Sequence, residues 1–281
     1  MGHRDSPAVV SDGRDAGRRR AAGPGEAATP WSAPNGRMAP GERRLLAAMP
    51  LHAITTLHGE AGLRERLALE IAGFPDAGRE RIGRALELAA RLHAADRRQR
   101  EPYVNHLLRV AIRIISHYRI HDPDVICAAL LHDTVEDHPA GLAHGGGQPE
   151  AIAALAAQFG TRTAGLVAAV TNPMKNGPSG DSHAQYREHV AASLATSPWA
   201  RVIKMSDFTD NGVGLIHTTG PRIGKLASKY APLVPVLREL IARPDTPLAD
   251  DVKAHVFGQL DRAGQRFAAI RPMPEPDAAT I

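Results

Sequence analysis

Apolar residues recur at three-to-four spacing through most of this chain, and no useful length of it alternates with period two, so the pattern predicts an all-α fold. Ile82, Leu86, Ala89 and Leu92 keep that spacing, with Asp76 as a possible N-cap. Tyr103, Leu107, Val110 and Ile114 repeat it after Pro102, which suits the first turn of a helix. Asp122-Pro123 is a strong helix start, and Val125, Ala128, Ala129 and Leu131 carry that helix to His132. Ile152, Leu155 and Phe159 precede Gly160, a C-cap, and Leu166, Val167 and Val170 run to a stop at Asn172-Pro173. Further helices pass through Tyr186, Val190 and Leu194, through Trp199 to Asp207, and through Leu226 to Leu240 with a break near Ala231 ahead of Pro232. A last one runs through Val252, Val256, Leu260, Ala263 and Phe267.

Composition agrees with helices packed through small residues, since apolar residues make up 43% of the chain and aromatic ones only 4%. Residues 1–40 are rich in Gly, Pro, Ala and Arg without apolar periodicity and are expected to be disordered. The rest divides into a helical lead-in at 41–75, a main domain at 76–242 and a C-terminal helix with a Pro-rich tail at 243–281. The sole cysteine, Cys127, excludes an internal disulfide and predicts a buried thiol in a reducing, cytoplasmic compartment. No apolar run reaches the roughly 18 residues that a membrane span requires, and the N-terminus lacks the apolar core of a secretory signal. A formal charge of +4 is a mild basic bias that suits an anionic ligand without implying a specific nucleic-acid partner.

Chemistry concentrates where the apolar run Leu130-Leu131 ends in His132-Asp133 and is followed by Glu136 and Asp137. Acids are rarely set against a core without a partner, and a metal ion satisfies several acceptors at once. Supporting ligands stand elsewhere: His106 in the second turn of a helix read from Glu101, and Asp207 in a second apolar helix. Asn211 shares a helix face with Asp207. Two imidazoles and two carboxylates without a thiolate cluster suit Mn, Fe or Zn, and argue against a structural zinc. Glu136 stands one turn beyond His132-Asp133, where it can take or deliver a proton. Arg97, Arg98 and Lys204 are cations of the kind that neutralise phosphate. His138, His144, His183, His189 and His217 lie in plain contexts and read as ordinary surface histidines.

These segments, in this order, resemble the HD-domain hydrolase module of the Rel/SpoT alarmone enzymes and the small stand-alone alarmone hydrolases. The likeness runs from about Arg84 to Leu240. It is carried by Arg97-Arg98, by Glu101-Pro102-Tyr103 with His106, by Ala128 through Asp137, by Phe159-Gly160, and by Ile203 through Asp207 with Asn211. The resemblance implies an HD-domain helical bundle and a Mn-dependent phosphohydrolase that removes the 3′-pyrophosphate from guanosine tetra- and pentaphosphate. It implies His106, His132, Asp133 and Asp207 as metal ligands, and Glu136 and Asp137 for water and proton transfer. Arg97, Arg98 and Lys204 would then face phosphate or base, and Asn211 the nucleotide.

The chain departs from the family after Asp207. Where the family has Arg-Leu-His-Asn-Met-Arg-Thr, it has Phe208-Thr209-Asp210-Asn211-Gly212-Val213-Gly214. Leu107 replaces the usual Pro after the first histidine, and the loop His138 to Pro149 is longer. Metal and acid positions survive while substrate-contact positions change. Two alternatives therefore stand beside the alarmone: another phosphorylated nucleotide or metabolite, and a catalytically silent nucleotide sensor.

Overall fold

The structure, a computed structural model, describes residues 39–98, 101–173, 183–218, 220 and 222–270. The expected disordered tail up to residue 38, the stretch 174–182 after the helix stop at Asn172-Pro173, and the Pro-rich end lie outside the described residues. The chain runs through α1 (Pro40–Ala48), α2 (Leu51–Ile71), α3 (Asp76–Leu92), β1 (Arg97–Arg98), β2 (Glu101–Pro102), α4 (Val104–Ser116) and α5 (Pro123–Leu131). It continues through α6 (Thr134–Asp137), α7 (Pro139–Leu142), α8 (Gln148–Phe159), α9 (Thr161–Val170), α10 (His183–Ala195) and α11 (Pro198–Asn211). A 3-10 turn (Val213–His217), α12 (Arg222–Tyr230), α13 (Leu233–Ala242) and α14 (Asp250–Ala269) complete it. Among the described residues the fold is all-α, apart from the two-residue pair β1–β2. None of its helices is long and apolar enough to cross a membrane.

The centre is made by α4, α5 and α11. Asp122 caps α5, accepting from the Asp124 N–H at 2.9 Å, and Pro123 takes the first helical position. From Val125 to Leu131 every residue of α5 is buried. Val125, Ile126, Leu130 and Leu131 have no exposed surface, and each contributes roughly 1.5–3 kcal/mol. That gain offsets part of the cost of holding charged groups at the end of α5. Ser206 lets α11 approach α4 closely: its hydroxyl donates to the Val110 carbonyl at 2.9 Å, and Arg113 donates to the Ser206 carbonyl at 3.0 Å. The start of α11 is pinned by Arg201, a fully buried guanidinium that donates to the Leu194 carbonyl, Thr246 and Asp245.

Two local expectations need correction. Glu101-Pro102 does not open a helix; Arg98 pairs with Glu101 and Arg97 with Pro102 in the antiparallel β1–β2 turn, so α4 begins at Val104 and His106 sits in its first turn. The physical reason is tertiary: Glu101 is drawn across to Arg109, whose Nη1 and Nη2 donate to it at 2.9 and 2.8 Å. The stretch His138 to Pro149 is not a plain loop either, because it contains α7 and the entry to α8. Gly160 ends α8 at φ +90, a conformation that L side chains rarely adopt, and Gly59 kinks α2 at φ +59.

Candidate metal centre

Four elements deliver side chains to one buried point. α4 brings His106, the end of α5 brings His132, Asp133 stands where α6 begins, and α11 brings Asp207. One donor atom from each of His106, His132 and Asp207 lies within 4.8 Å of the others, a grouping that could hold a metal ion. His106 Nε2 is 3.3 Å from Asp207 Oδ1, and His132 Nε2 is 3.7 Å from the same oxygen. Asp133 Oδ2 lies 3.1 Å from His132 Nε2 and 3.6 Å from His106 Nε2, and accepts from the Tyr103 hydroxyl at 2.7 Å.

The far side of each ring settles its tautomer. His132 Nδ1 is 2.8 Å from the Ala129 carbonyl, and His106 Nδ1 is 2.8 Å from Asp210 Oδ2. Both partners only accept, so both Nδ1 atoms donate, and each neutral ring carries its lone pair on Nε2. Those two Nε2 atoms are buried and make no hydrogen bond among the described residues, although carboxylate oxygens face them. Lone pairs facing carboxylates in a buried space call for a cation between them. The donor set therefore fits a divalent ion, with outer partners already holding both rings. In the ion-free protein protons take that place: burial disfavours charge on His132, yet Asp133 and Asp207 outweigh it and raise its pKa from 6.5 to about 10. Burial likewise opposes ionisation of Asp207, but Lys204 and the two imidazoles hold it well below the usual carboxylate range.

Lys204 and Asn211 both close on Asp207. Lys204 Nζ donates to Asp207 Oδ2 at 2.9 Å and sits 5.4 Å over the Tyr186 ring, while the Asn211 amide donates to Asp207 Oδ1. Arg98 donates to the side-chain Oδ1 of Asn211 and lies 5.4 Å over the Tyr103 ring, so it belongs to the site's edge and not to a solvated face. Arg97 is exposed on β1. Glu136 and Asp137 are half-buried on α6, and Glu136 Oε2 accepts from the Asn172 N–H at 2.9 Å at the end of α9. Lys204 also senses the negative charge of Glu136.

Sequence reasoning missed Asp210 and Arg109. Asp210 accepts from Arg109 Nε and Nη2, both at 2.9 Å, and from Arg113 Nη2 at 3.1 Å, besides His106. Burial opposes its charge, but Arg109 and His106 keep it ionised far below the ordinary range. A signal existed: Arg109 and Asp210 are charges in otherwise apolar helices, each three residues beyond a candidate ligand and so on its face. Beside these groups opens a cavity of about 760 Å³, lined on several sides by Arg97, Arg98, Arg222 and Lys225, with Asp210 and Asn211 at the metal-centre end. This cationic lining suits an anionic ligand larger than phosphate itself.

An HD-domain family model matches residues 85–195. A guanosine-3′,5′-bis(diphosphate) 3′-pyrophosphohydrolase, MESH1 of Drosophila melanogaster, is 33% identical over 144 residues, which are 50% of this chain and 71% of that protein. A guanosine-3′,5′-bis(diphosphate) 3′-pyrophosphohydrolase of Aquifex aeolicus is 32% identical over 180 residues, 62% of this chain. The matched part spans only 24% of that longer relative. The solved structure of a metazoan ortholog of SpoT that hydrolyzes ppGpp superposes with a TM-score of 0.52 at 25% identity, over 70% of this chain and 99% of the other.

Proposed function

The chain belongs to the HD-domain family of MESH1/SpoT-type hydrolases, and from that membership we propose that it is a divalent-metal phosphohydrolase that removes the 3′-pyrophosphate from guanosine tetra- or pentaphosphate. The observation that carries the reading is the pair of buried Nε2 lone pairs, on His106 and His132, that converge with Asp207. In this reading His106, His132, Asp133 and Asp207 hold the ion, and a nitrogen and oxygen set without thiolate suits Mn2+. A bound divalent ion would supply charge neutralisation for phosphate oxygens and acidify a water molecule.

The chain's own residues do the rest. Water adds to the phosphorus next to the 3′-oxygen, the bond between them breaks, and pyrophosphate departs, leaving the 5′-diphosphate from the tetraphosphate or the 5′-triphosphate from the pentaphosphate. Glu136 takes the proton of the attacking water, and Asp137 supplies one towards the leaving 3′-oxygen. Arg98, braced on Asn211 and Tyr103, and the cavity-lining Arg97 face the phosphates. Lys204 keeps Asp207 ionised and oriented, as its 2.9 Å ion pair requires. The family's basic residues after Asp207 are replaced here by buried Phe208 and Asp210 and by Val213, and cavity cations from α12, Arg222 and Lys225, offer positive charge in their stead. The buried Cys127 thiol suits the cytoplasm.

The test is a product analysis. Mn-loaded protein is incubated with guanosine tetraphosphate and with a panel of other phosphorylated nucleotides, and the products are separated by anion exchange. GDP and pyrophosphate from the tetraphosphate are expected, with turnover lost in Glu136→Gln. Cleavage of other nucleotides alone overturns the substrate. Tight binding without turnover, unchanged in Glu136→Gln, identifies a sensor instead.

A further inference from the structure

Outside the centre just described, the described residues contain a second group of metal-ligating side chains. Donor atoms of His93, Asp96 and His138 all lie within 4.8 Å of one another. Asp96 Oδ2 is 2.7 Å from His93 Nδ1 and 2.6 Å from His138 Nε2. We propose that these three residues form a second divalent-cation site, distinct from the His106–His132–Asp207 centre, that takes zinc or a similar first-row ion.

The donor set is two imidazoles and one carboxylate, the composition that leaves a coordination position open for water or another ligand. An ion there would displace the protons by which His93 Nδ1 and His138 Nε2 donate to Asp96 Oδ2. Burial holds His93 neutral, and Asp96 stays ionised because the two imidazoles beside it outweigh its burial. An ion with bonds near 2.0–2.1 Å holds tetrahedral donors about 3.3 Å apart, so Asp96 needs to draw back from each imidazole by well under an ångström. His93 is a rigid anchor: its side chain has no exposed surface, its ring stacks on Tyr103 at 4.6 Å and 11°, and the His138 ring meets its edge at 4.6 Å. Asp96 and His138 are 33% and 28% exposed, which gives an ion a path from solvent.

Position gives the site a role. Asp96 directly precedes Arg97-Arg98, and His138 directly follows Glu136-Asp137. One ion would therefore clamp the turn that carries the substrate-facing arginines to the end of α6, which carries the proposed acids. Tyr103, stacked on His93, donates to Asp133 at 2.7 Å, so a single ring separates the two sites.

The experiment counts ions. Full-length protein is stripped with chelator and dialysed, then titrated with Zn2+, and in parallel with Co2+ whose visible absorption reports coordination; bound metal is measured by mass spectrometry. The expected result is two equivalents per wild-type chain, one in Asp207→Ala and one in His138→Ala. Asp96→Asn, which keeps the shape of the side chain, is also expected to lose one equivalent, with circular dichroism confirming its fold. One equivalent in the wild type, lost in Asp207→Ala and unchanged in both His138→Ala and Asp96→Asn, overturns the proposal and leaves the triad as a hydrogen-bonded brace. Because Asp207→Ala reads the second site alone, the count is independent of whether the alarmone is hydrolysed.

Discussion

His106 Nδ1 donates to Asp210 Oδ2 at 2.8 Å, and that same carboxylate is gripped by Arg109 through two further bonds of 2.9 Å. The ring that offers its Nε2 to the metal centre is thus oriented by a buried acid whose own charge is balanced by a buried arginine. Asp210 shows 1% side-chain exposure and Arg109 3%, so neither charge can turn to water if the other is removed.

Asp210→Asn is expected to lower metal affinity by about 10–100-fold, the usual effect of losing an outer partner of a ligating histidine. It should also cost about 1.5–3 kcal/mol, because Arg109 and Arg113 lose the charge of the carboxylate they share while Arg109 keeps Glu101. Denaturant unfolding of chelated protein and a Mn2+ titration measure the two effects separately. Replacing both residues, as Arg109→Met with Asp210→Leu, should recover neither stability nor affinity, because Arg113 and His106 would still lack Asp210 and Glu101 would lack Arg109.

Lys204→Met should destabilise the ion-free protein by about 3 kcal/mol, since Asp207 would keep a buried charge with its ammonium gone. A bound ion neutralises that carboxylate, so saturating Mn2+ should shrink the difference from wild type. Equal losses with and without metal would show that Lys204 matters for packing and not for the charge of Asp207.

Metal binding should release protons. Burial works against charge on His132, but Asp133 and Asp207 raise its folded pKa to about 10, above the unfolded value of 6.5. Stability from this group is therefore fully present below pH 6.5 in ion-free protein, and is lost as pH rises through about 10. An ion at the same nitrogen must displace the proton, so affinity should climb from pH 6 to pH 9. Calorimetric titration in two buffers of different ionisation enthalpy reads the release; identical heats would contradict it.

Cys127 should resist thiol reagents until the protein unfolds. Burial pushes its pKa up to about 12, so the thiolate fraction at pH 8 is on the order of 10⁻⁴. A disulfide dye should label one thiol in denaturant and none in the native state; rapid native labelling would show that α5 opens readily.

Much of this architecture was legible because helical periodicity and helix punctuation are local. Asp122-Pro123 starts α5, Gly160 ends α8, and Pro232 separates α12 from α13 where the pattern places them. His132, Asp133 and Asp207 stand out as polar groups in apolar runs, and His106 joins them from its place early in a helix and from the family pattern. What escaped depends on distant partners. Glu101 leaves a helical reading for β2 because Arg109, eight residues on, holds it. Asp210 was hidden by its neighbour Asp207, although the same rule on buried charge applies to both. His138 read as a surface residue because Asp96, which it meets at 2.6 Å, lies 42 positions away.

The most direct test of the central claim is pyrophosphate release from guanosine tetraphosphate as Mn2+ is returned to chelator-stripped protein. The expected result is negligible release without the ion, recovery in step with metal bound at the His106–His132–Asp207 centre, and no recovery in Asp207→Ala. Release that is independent of Mn2+, or that survives in Asp207→Ala, would contradict the assignment of this centre to the chemistry.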